Sequence, residues 1–273
     1  MATAASNTSR RTSKTLQITD LLNEPQPYNT NWQSLPQPTV GADQGLLSRI
    51  QGSLVGLAVG DALGASVEFR PHTYLQEHPV TDMQSGGTWG LQAGQWTDDT
   101  SMALCLAASL IVKQGFDAYD QLVRYKWWYK DGYMSSIGKC FDIGQATRLA
   151  VIDFEKRQLN FAERFCQLKP RTLKSERDRD TMISQRDCVS VNFKLNFGSE
   201  DSAGNGPLMR MASIPLFFFR SEKAAINYAG ENAVLTHGDP RAADACRFYA
   251  ALICGALQGL SKYELLDPKF YRA

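Results

Sequence analysis

Two adjacent carboxylates lie between two hydroxyls at Thr97-Asp98-Asp99-Thr100, immediately ahead of an apolar run. As structure, Thr97 or Asp98 suits the N-cap of the helix that follows, and acids in a first turn complement the helix dipole. As chemistry, carboxylate and hydroxyl oxygens suit a hard cation such as Mg²⁺. A hydrolytic acid/base pair fits less well, because glycosidases hold their two carboxyls about 5–9 Å apart across the bond. The four residues alone favour a cap first and a metal site second, and the two roles are compatible.

A glycine-rich helical stretch precedes these acids. Gly56, Gly60 and Gly64 recur every four residues on one face, a spacing that favours close helix–helix packing. Asp61 and Glu68 are seven residues apart and return to nearly the same helical face, so both carboxylates can point into one cleft.

Two polar features occur in the second half of the chain. The stretch SAGNG (202–206) is typical of a turn, and His237 is typical of a hydrogen-bonded core residue. Neither indicates a function by itself.

Taken together and in order, these segments resemble the ADP-ribosylglycohydrolase family, the dinitrogenase-reductase-activating glycohydrolase group. The matching motifs are GDALGASVEF (60–69), GQWTDDTSMAL (94–104), SAGNGPLMRMASIPL (202–216) and LTHGDPRAADACRFYAALICGAL (235–257). Four ordered motifs over this span make a specific resemblance. It implies an all-α fold, a binuclear Mg²⁺ site, and hydrolysis of the bond from ribose C1 to an ADP-ribosylated arginine or serine side chain, or to a related ADP-ribose adduct.

The resemblance also implies roles for the acidic residues. Thr97, Asp98 and Asp99 are expected to be metal ligands, with Asp98 also near the substrate ribose. Glu68 is expected near the metals or the scissile bond, and Asp61 is expected to support the loop. Carboxylates stabilise the oxocarbenium-like state of glycosidic cleavage, and two Mg²⁺ ions can fix a diol and polarise water.

The same resemblance implies a binding loop for the nucleotide. Ser202, Gly204, Asn205 and Gly206 are expected to surround the phosphates and distal ribose, and His237 to line the adenosine side of the cleft. Glycines allow backbone N–H groups to approach a pyrophosphate closely, because no Cβ intervenes.

One family feature is not found in the sequence. The family completes its metal site with a D-x-D-T motif near the end of the domain, and no such run occurs here. The resemblance therefore covers about the first two-thirds of a family domain, and the second set of ligands is missing. This favours a rival hypothesis, a non-catalytic or truncated relative that binds ADP-ribose or has a structural, crystallin-like role.

The elements expected to position these residues are helices. Apolar residues at helical spacing predict helices at 46–64, 101–115, 119–130, 143–156, 160–168, 206–219, 223–235 and 239–260. Asp239 and Pro240 form a good start for the last of these.

The remaining segments are expected to be irregular. Residues 189–197 (VSVNFKLNF) alternate and predict a short strand or an extended loop, and 169–188 reads as a charged, solvated loop. The proline-punctuated residues 1–43 are expected to be a disordered tail, followed by one all-α domain at 44–273.

Composition narrows the function classes. The sequence is 43% hydrophobic and 21% charged with a net charge of +1, which argues against a nucleic-acid or anionic-membrane surface. Six cysteines show no zinc-like spacing with the three histidines, which favours a reducing, cytoplasmic compartment. The Ser/Thr/Arg-rich N-terminus offers organelle targeting as a weaker alternative. A monomer is expected.

Overall fold

The computed structural model describes residues 43–168 and 175–271. In this part of the chain every regular element is a helix, and the only β-type pairing is an isolated bridge between Gly86 and Leu91. The all-α prediction is confirmed, whereas the predicted tail lies outside the described residues except for Asp43. The helices are α1 (Gln44–Gly64), α2 (His72–Glu77), α3 (Asp98–Lys113), α4 (Ala118–Asp131), α5 (Gln145–Leu168), α6 (Glu176–Met182), α7 (Gln185–Ser190), α8 (Gly206–Arg210), α9 (Ser213–Phe217), α10 (Glu222–Val234), α11 (Pro240–Gln258) and α12 (Lys262–Leu265).

Helices α3, α4 and α5 pack around the largest core. Met102, Trp128 and Phe154 are fully buried there, one from each helix. A second core lies between α10 and α11, where Ala229 and Ala250 are fully buried and small enough to let the two helices approach closely. The two cores flank α8, which follows the SAGNG loop.

Helix α1 packs much less than its sequence predicts. Ala62 is its one buried residue, although it runs for 21 residues. A Cβ added at Gly56, Gly60 or Gly64 would meet no atom within 4 Å. The predicted glycine-mediated helix contact is therefore wrong for the described residues: Gly56 borders a hollow whose other walls include Leu208 and Tyr249, so no neighbouring helix touches α1 at these glycines. Val55 is 60% exposed on the same helix.

Two helix boundaries differ from the sequence prediction. The segments at 143–156 and 160–168 form one helix, α5, because no glycine or proline interrupts the residues between them. The segment at 206–219 instead forms two short helices, α8 and α9. Pro215, inside α9, has no N–H to donate to the carbonyl of Met211, and the helix is interrupted at residues 211–212.

The alternating segment 189–197 was predicted to be either a short strand or an extended loop, and the structure shows the loop. Its start belongs to α7, and the rest carries no strand. Phe193 packs on Phe161 of α5 with ring centroids 4.7 Å apart, and Phe197 packs on Phe154 at 5.5 Å. Alternation here reflects aromatic anchoring of a loop to α5.

The predicted charged loop at 169–188 needs correction in its described part. Residues 169–174 lie outside the described residues. Beyond them are α6 and α7, each begun by a capping box, with Ser175 and Ser184 as the N-caps. The high charge of the segment favoured a loop, although two Ser-x-x-Asp sequences in it are typical of helix N-termini.

A buried polar network explains why this charged segment is ordered. Lys126 of α4 is fully buried and pairs with Asp180 of α6 at 2.5 Å. Gln158 of α5 accepts from the Lys126 ammonium at 2.8 Å, and Trp127 Nε1 donates to Asp180 at 2.8 Å. The network ties α6 to α4 and α5.

In the part of the chain that the structure describes, no helix is long and apolar enough to cross a membrane.

Substituting Lys126→Met tests the buried network. Asp180 then keeps a buried charge without its cation, so the free energy of unfolding is expected to fall by about 3–5 kcal/mol in urea denaturation. The matched control is Lys130→Met, whose half-exposed ammonium pairs with Glu155 and Glu176 and whose loss is expected to change stability by about 0–1 kcal/mol. Equal effects of the two variants would refute the network's importance.

Candidate active site

The carboxylate of Asp61 in α1 fixes the start of α3. Its Oδ1 accepts from Thr97 N at 3.0 Å and Thr97 Oγ1 at 2.8 Å, and its Oδ2 accepts from Thr100 N at 3.0 Å and Thr100 Oγ1 at 2.7 Å. Thr97 is the N-cap residue by position, yet its side chain makes no cap bond within α3. The cap is instead supplied from another helix. Asp98 and Asp99 are thereby freed from capping.

The segment leading into α3 is also tied to the loop that follows α4. Trp96 Nε1 donates to the carbonyl of Met134 at 3.2 Å, and Ser136 Oγ donates to the carbonyl of Trp96 at 2.6 Å. Further along this loop, Asp142 adopts a left-handed backbone with φ 58°. The loop brings Asp142 to the same cavity as the acids of α3.

Four carboxyl groups line one end of a cavity of about 540 Å³: Glu68, Asp98, Asp99 and Asp142. Burial, followed by repulsion from Asp142 and Asp99, raises the pKa of Asp98 to about 9. Burial and then Asp61 raise the pKa of Asp99 to about 6. Burial and mutual repulsion therefore make the ionised forms of these carboxyl groups unfavourable.

The carboxyl groups of Glu68 and Asp142 contact each other. Glu68 Oε2 and Asp142 Oδ2 are buried, and no group of the described residues donates a hydrogen bond to either atom. Because the two carboxyls contact each other, a proton on one can be donated to the other. Burial and this contact with Asp142 raise the pKa of Glu68 to about 8. Burial also raises the pKa of Asp142, against the lowering effect of its hydrogen bonds to Glu68 and Trp89.

The acidic end has the donor chemistry of a Mg²⁺ site. Carboxylate oxygens without donors, from Glu68 and Asp142, are suited to a hard cation, which in proteins often takes one or two carboxylates and completes its shell with water and substrate. Over the two described ranges, however, no three His, Cys, Asp or Glu side chains stand together as a ready-made metal cage. The residues fit an open site of few protein ligands.

Another part of the cavity wall, called the glycine end here, is built from the SAGNG loop and His237. Gly204, Asn205, Gly206 and His237 all line it. A Cβ at Gly206 would lie 2.8 Å from His237 Cε1, and one at Gly204 would lie 3.2 Å from His237 Nε2. The glycines are therefore required by the imidazole that packs on their backbone. Burial and then Arg210 lower the pKa of His237 to about 4, so the imidazole is neutral at pH 7.

A second glycine contact holds this end together. The backbone of Gly198 lies so close to residues 237–238 that a Cβ on it would be 2.4 Å from Gly238 N. Gly238 N donates to the carbonyl of Ser199 at 3.0 Å, and Asp239 N donates to that of Ser202 at 3.4 Å. Asp239 also caps α11 through Arg241 N, as its position before Pro240 predicts.

The structure brings together most of the residues that the sequence singled out. Seven of the nine line one cavity: Glu68, Asp98, Asp99, Gly204, Asn205, Gly206 and His237. Thr97 and Ser202 do not line it. Thr97 is buried and donates to Asp61, and Ser202 lies beside a neighbouring hollow with its hydroxyl on the carbonyl of Ser199.

Sequence reasoning missed other lining residues. Asp142 follows no motif, and its position depends on a left-handed turn in a loop. Phe69, Trp89 and Thr147 also line the cavity. Phe69 has a φ of 64°, which places a 71% exposed ring beside Glu68. In the sequence, the one sign that Phe69 belongs to the cavity is that this aromatic residue directly follows Glu68.

The chain belongs to the ADP-ribosylglycohydrolase family, whose model matches residues 42–270. The family resemblance is thus confirmed.

Among its relatives, the ADP-ribosylarginine hydrolase Tri1 of Pseudomonas putida (strain GB-1) is 34% identical over 81% of this chain and 50% of its own length. Its counterpart in Serratia proteamaculans (strain 568) is 32% identical over 90% of this chain and 57% of its own. ADP-ribosylhydrolase ARH3 of Bos taurus is 30% identical over 80% and 52%. The chain spans about half the length of these relatives.

A solved structure agrees with the fold. A chain of an ADP-ribosylglycohydrolase-related protein complex superposes with a TM-score of 0.57 at 34% identity, covering 82% of this chain and 61% of that one.

Substituting Asp61→Asn tests the cross-helix cap. The amide nitrogen of asparagine meets N–H and O–H donors where a carboxylate oxygen accepted them, so a loss of about 2–3 kcal/mol in the free energy of unfolding is expected. The control is Asp43→Asn, at the exposed N-cap of α1, where asparagine caps as well as aspartate and the change stays within about 0.5 kcal/mol. A neutral Asp61→Asn result would contradict the anchoring role.

The acidic end also predicts a pH dependence for the protein in the presence of a chelator. Asp98 and Glu68 have raised pKa values when folded and ordinary ones when unfolded, so the folded state holds more protons at pH 7. Their stabilising contribution, complete in acid, is lost as pH rises through 8 and 9. The free energy of unfolding is expected to fall between pH 7 and 9.

Asp98→Asn is the matched variant for this measurement. It removes the group of highest pKa in the cluster, so its stability curve is expected to be shallower than that of the wild type by up to about 1.4 kcal/mol per pH unit. His237 is neutral in both folded and unfolded states over this range and does not contribute to the slope. Parallel curves would rule out the proposed protonation of Asp98.

Proposed function

We propose that this chain forms the catalytic half-site of an ADP-ribosylglycohydrolase, which hydrolyses the bond between ribose C1 and an acceptor side chain. The supporting observation is the cavity of about 540 Å³, which is lined both by four carboxyls and by the Gly204–Gly206 loop with His237. Its volume is within the usual range for small-ligand sites. The family membership supports the same reaction class.

The charge distribution favours one orientation of an ADP-ribosyl group. A diphosphate would be repelled by Glu68, Asp98, Asp99 and Asp142, so it belongs at the glycine end. Backbone N–H groups can approach it there because Gly204 carries no side chain. The terminal ribose, whose C1 reacts, then lies at the acidic end.

Within that orientation the carboxyls have separate tasks. Glu68 has an oxygen without a donor, and its coupling to Asp142 lets it hold a proton near neutral pH and give it up. It is the candidate to exchange a proton with the leaving group or the attacking water. Asp98 is the candidate to hydrogen-bond the ribose diol.

Magnesium fits the acidic end. Asp98 and Asp99 would hold it, whereas Thr97, the third ligand that the resemblance implies, does not line the cavity and donates its hydroxyl proton to Asp61. When bound, Mg²⁺ supplies positive charge that fixes the diol and polarises water. Two ions remain the expectation for a complete family site.

Arginine is the proposed acceptor. The two relatives with the highest identities given above are named ADP-ribosylarginine hydrolases. Serine remains the second candidate linkage, and other ADP-ribose adducts the third.

One observation favours the non-catalytic alternative. Across residues 43–168 and 175–271 no three potential ligands form a metal cage, so the chain can bind ADP-ribose without the ions that hydrolysis needs.

Release of ADP-ribose from ADP-ribosylated arginine and serine peptides, with Mg²⁺ present, tests the proposal. The wild type is expected to release it from arginine. Glu68→Gln keeps the shape of the side chain but loses its proton exchange, so a rate reduction of about 10²-fold or more is expected with ADP-ribose affinity retained. The control is Glu77→Gln, an exposed glutamate in α2, which is expected to leave the rate unchanged.

The same assay separates the alternatives. Release from the serine peptide alone would replace the proposed linkage. Calorimetric binding of ADP-ribose without release from either peptide would favour the non-catalytic relative. A wild type that neither binds nor releases ADP-ribose would refute the proposed function. Asp98→Asn is expected to remove any Mg²⁺-dependent rise in melting temperature, because that carboxylate is a proposed ligand.

A further inference from the structure

Arg210 is a fully buried cation with no carboxylate partner among the described residues. Its guanidinium lies over the Tyr125 ring at 4.8 Å and donates to the side-chain and main-chain oxygens of Asn232 at 3.3 and 3.1 Å. Its Nη1 has no hydrogen-bond partner in that part of the chain. A buried charge without a counter-charge is costly, so its retention calls for a specific use.

The guanidinium also contacts Thr236, which precedes the cavity histidine. Arg210 Nη2 donates to Thr236 Oγ1 at 2.8 Å. The same oxygen lies 2.9 Å from His237 Nδ1, and both residues are buried. Arg210, Thr236 and His237 form a linear chain that ends at the cavity.

The donors and acceptors in this chain can be assigned. Arginine only donates, so the Thr236 oxygen accepts from it. The Thr236 hydroxyl has one proton, and His237 Nδ1 is the one acceptor that it contacts among the described residues. Nδ1 is therefore the unprotonated nitrogen, because otherwise two donors would meet at Thr236 while its own proton had no acceptor. The imidazole proton resides on Nε2.

Nε2 is the nitrogen on the cavity side. It lies beside Gly204 and Gly206 and has no hydrogen-bond partner in the described residues. Its N–H is available to an incoming acceptor at the end of the cavity that lacks carboxylates. The positive charge of Arg210 also opposes protonation of the ring.

We infer that Arg210 and Thr236 are positioning residues that hold His237 as the neutral Nε2–H tautomer, so that it donates a hydrogen bond to an anionic ligand group at the glycine end of the cavity. The identity of that ligand, an ADP-ribosyl diphosphate, rests on the proposed function. The assignment of the His237 tautomer does not depend on the proposed function.

The test compares Thr236→Val with Thr236→Ser. Valine has the shape of threonine without its hydroxyl, whereas serine keeps the hydroxyl. Nitrogen-15 NMR of the ligand-free chain reports which imidazole nitrogen carries the proton, and the chain has only three histidines. His72 and His78 are exposed in and just after α2 and serve as internal references.

The wild type and Thr236→Ser are expected to show His237 as a single Nε2–H tautomer. Thr236→Val is expected to show a mixture of tautomers, while the signals of His72 and His78 stay unchanged. Calorimetry with ADP-ribose and Mg²⁺ is expected to give an affinity about tenfold weaker for Thr236→Val and within about twofold of the wild type for Thr236→Ser.

An Nδ1–H tautomer in the wild type, or identical His237 signals in Thr236→Val, would overturn the assignment. A changed tautomer with unchanged ADP-ribose affinity would overturn the positioning role. If the wild type does not bind ADP-ribose, the proposed function fails, while the NMR comparison still decides the tautomer. Should Thr236→Val unfold, Arg210→Lys gives a second reading, because lysine retains the charge but not the forked donor geometry.

Discussion

The acidic end of the cavity depends on one carboxylate, that of Asp61. A helix start has backbone N–H groups without partners, and the side chain of the N-cap residue normally satisfies some of them. Here Asp61 satisfies the amides of Thr97 and Thr100 from a neighbouring helix and also accepts from both hydroxyls. Asp98 and Asp99 are then fixed on the first turn of α3 with no capping duty. The cap and metal interpretations of these residues are compatible because the capping carboxylate comes from elsewhere.

This arrangement concentrates negative charge where water is scarce. None of Glu68, Asp98, Asp99 and Asp142 forms an ion pair with a basic side chain in the described ranges. Their raised pKa values have one common first cause, burial. The folded protein can relieve the repulsion by keeping protons or by binding a cation. A site that needs one of these is less stable by itself than a neutral core of the same size, and that instability favours cation binding.

The sequence predicted the helices well and the contacts between them less well. Helical periodicity and the Asp239-Pro240 start are local, so α3, α4, α10 and α11 follow directly from the residues. Asp142 could not be found, because a left-handed turn brings it to the cavity and no spacing encodes that turn. Asp180 lies in the stretch 169–188 that was predicted to be a solvated loop, because its burial depends on Lys126, a partner far along the chain. For the glycine face of α1 the prediction was wrong in the opposite sense: the glycine spacing predicts a helix contact that the described residues do not make.

The two ends of the cavity differ in a way that motifs alone did not reveal. At one end, four carboxyls compete for protons; at the other, a buried arginine keeps an imidazole neutral through a threonine hydroxyl. A ligand with a diphosphate in its middle and a reactive ribose at its terminus therefore has one favourable orientation. In the proposed binding mode, backbone N–H groups at Gly204 and Gly206 would contact the diphosphate, and the acids would face the sugar. Because a Cβ at Gly206 would lie 2.8 Å from His237 Cε1, the shape of the Gly204–Gly206 loop and the position of the imidazole constrain each other.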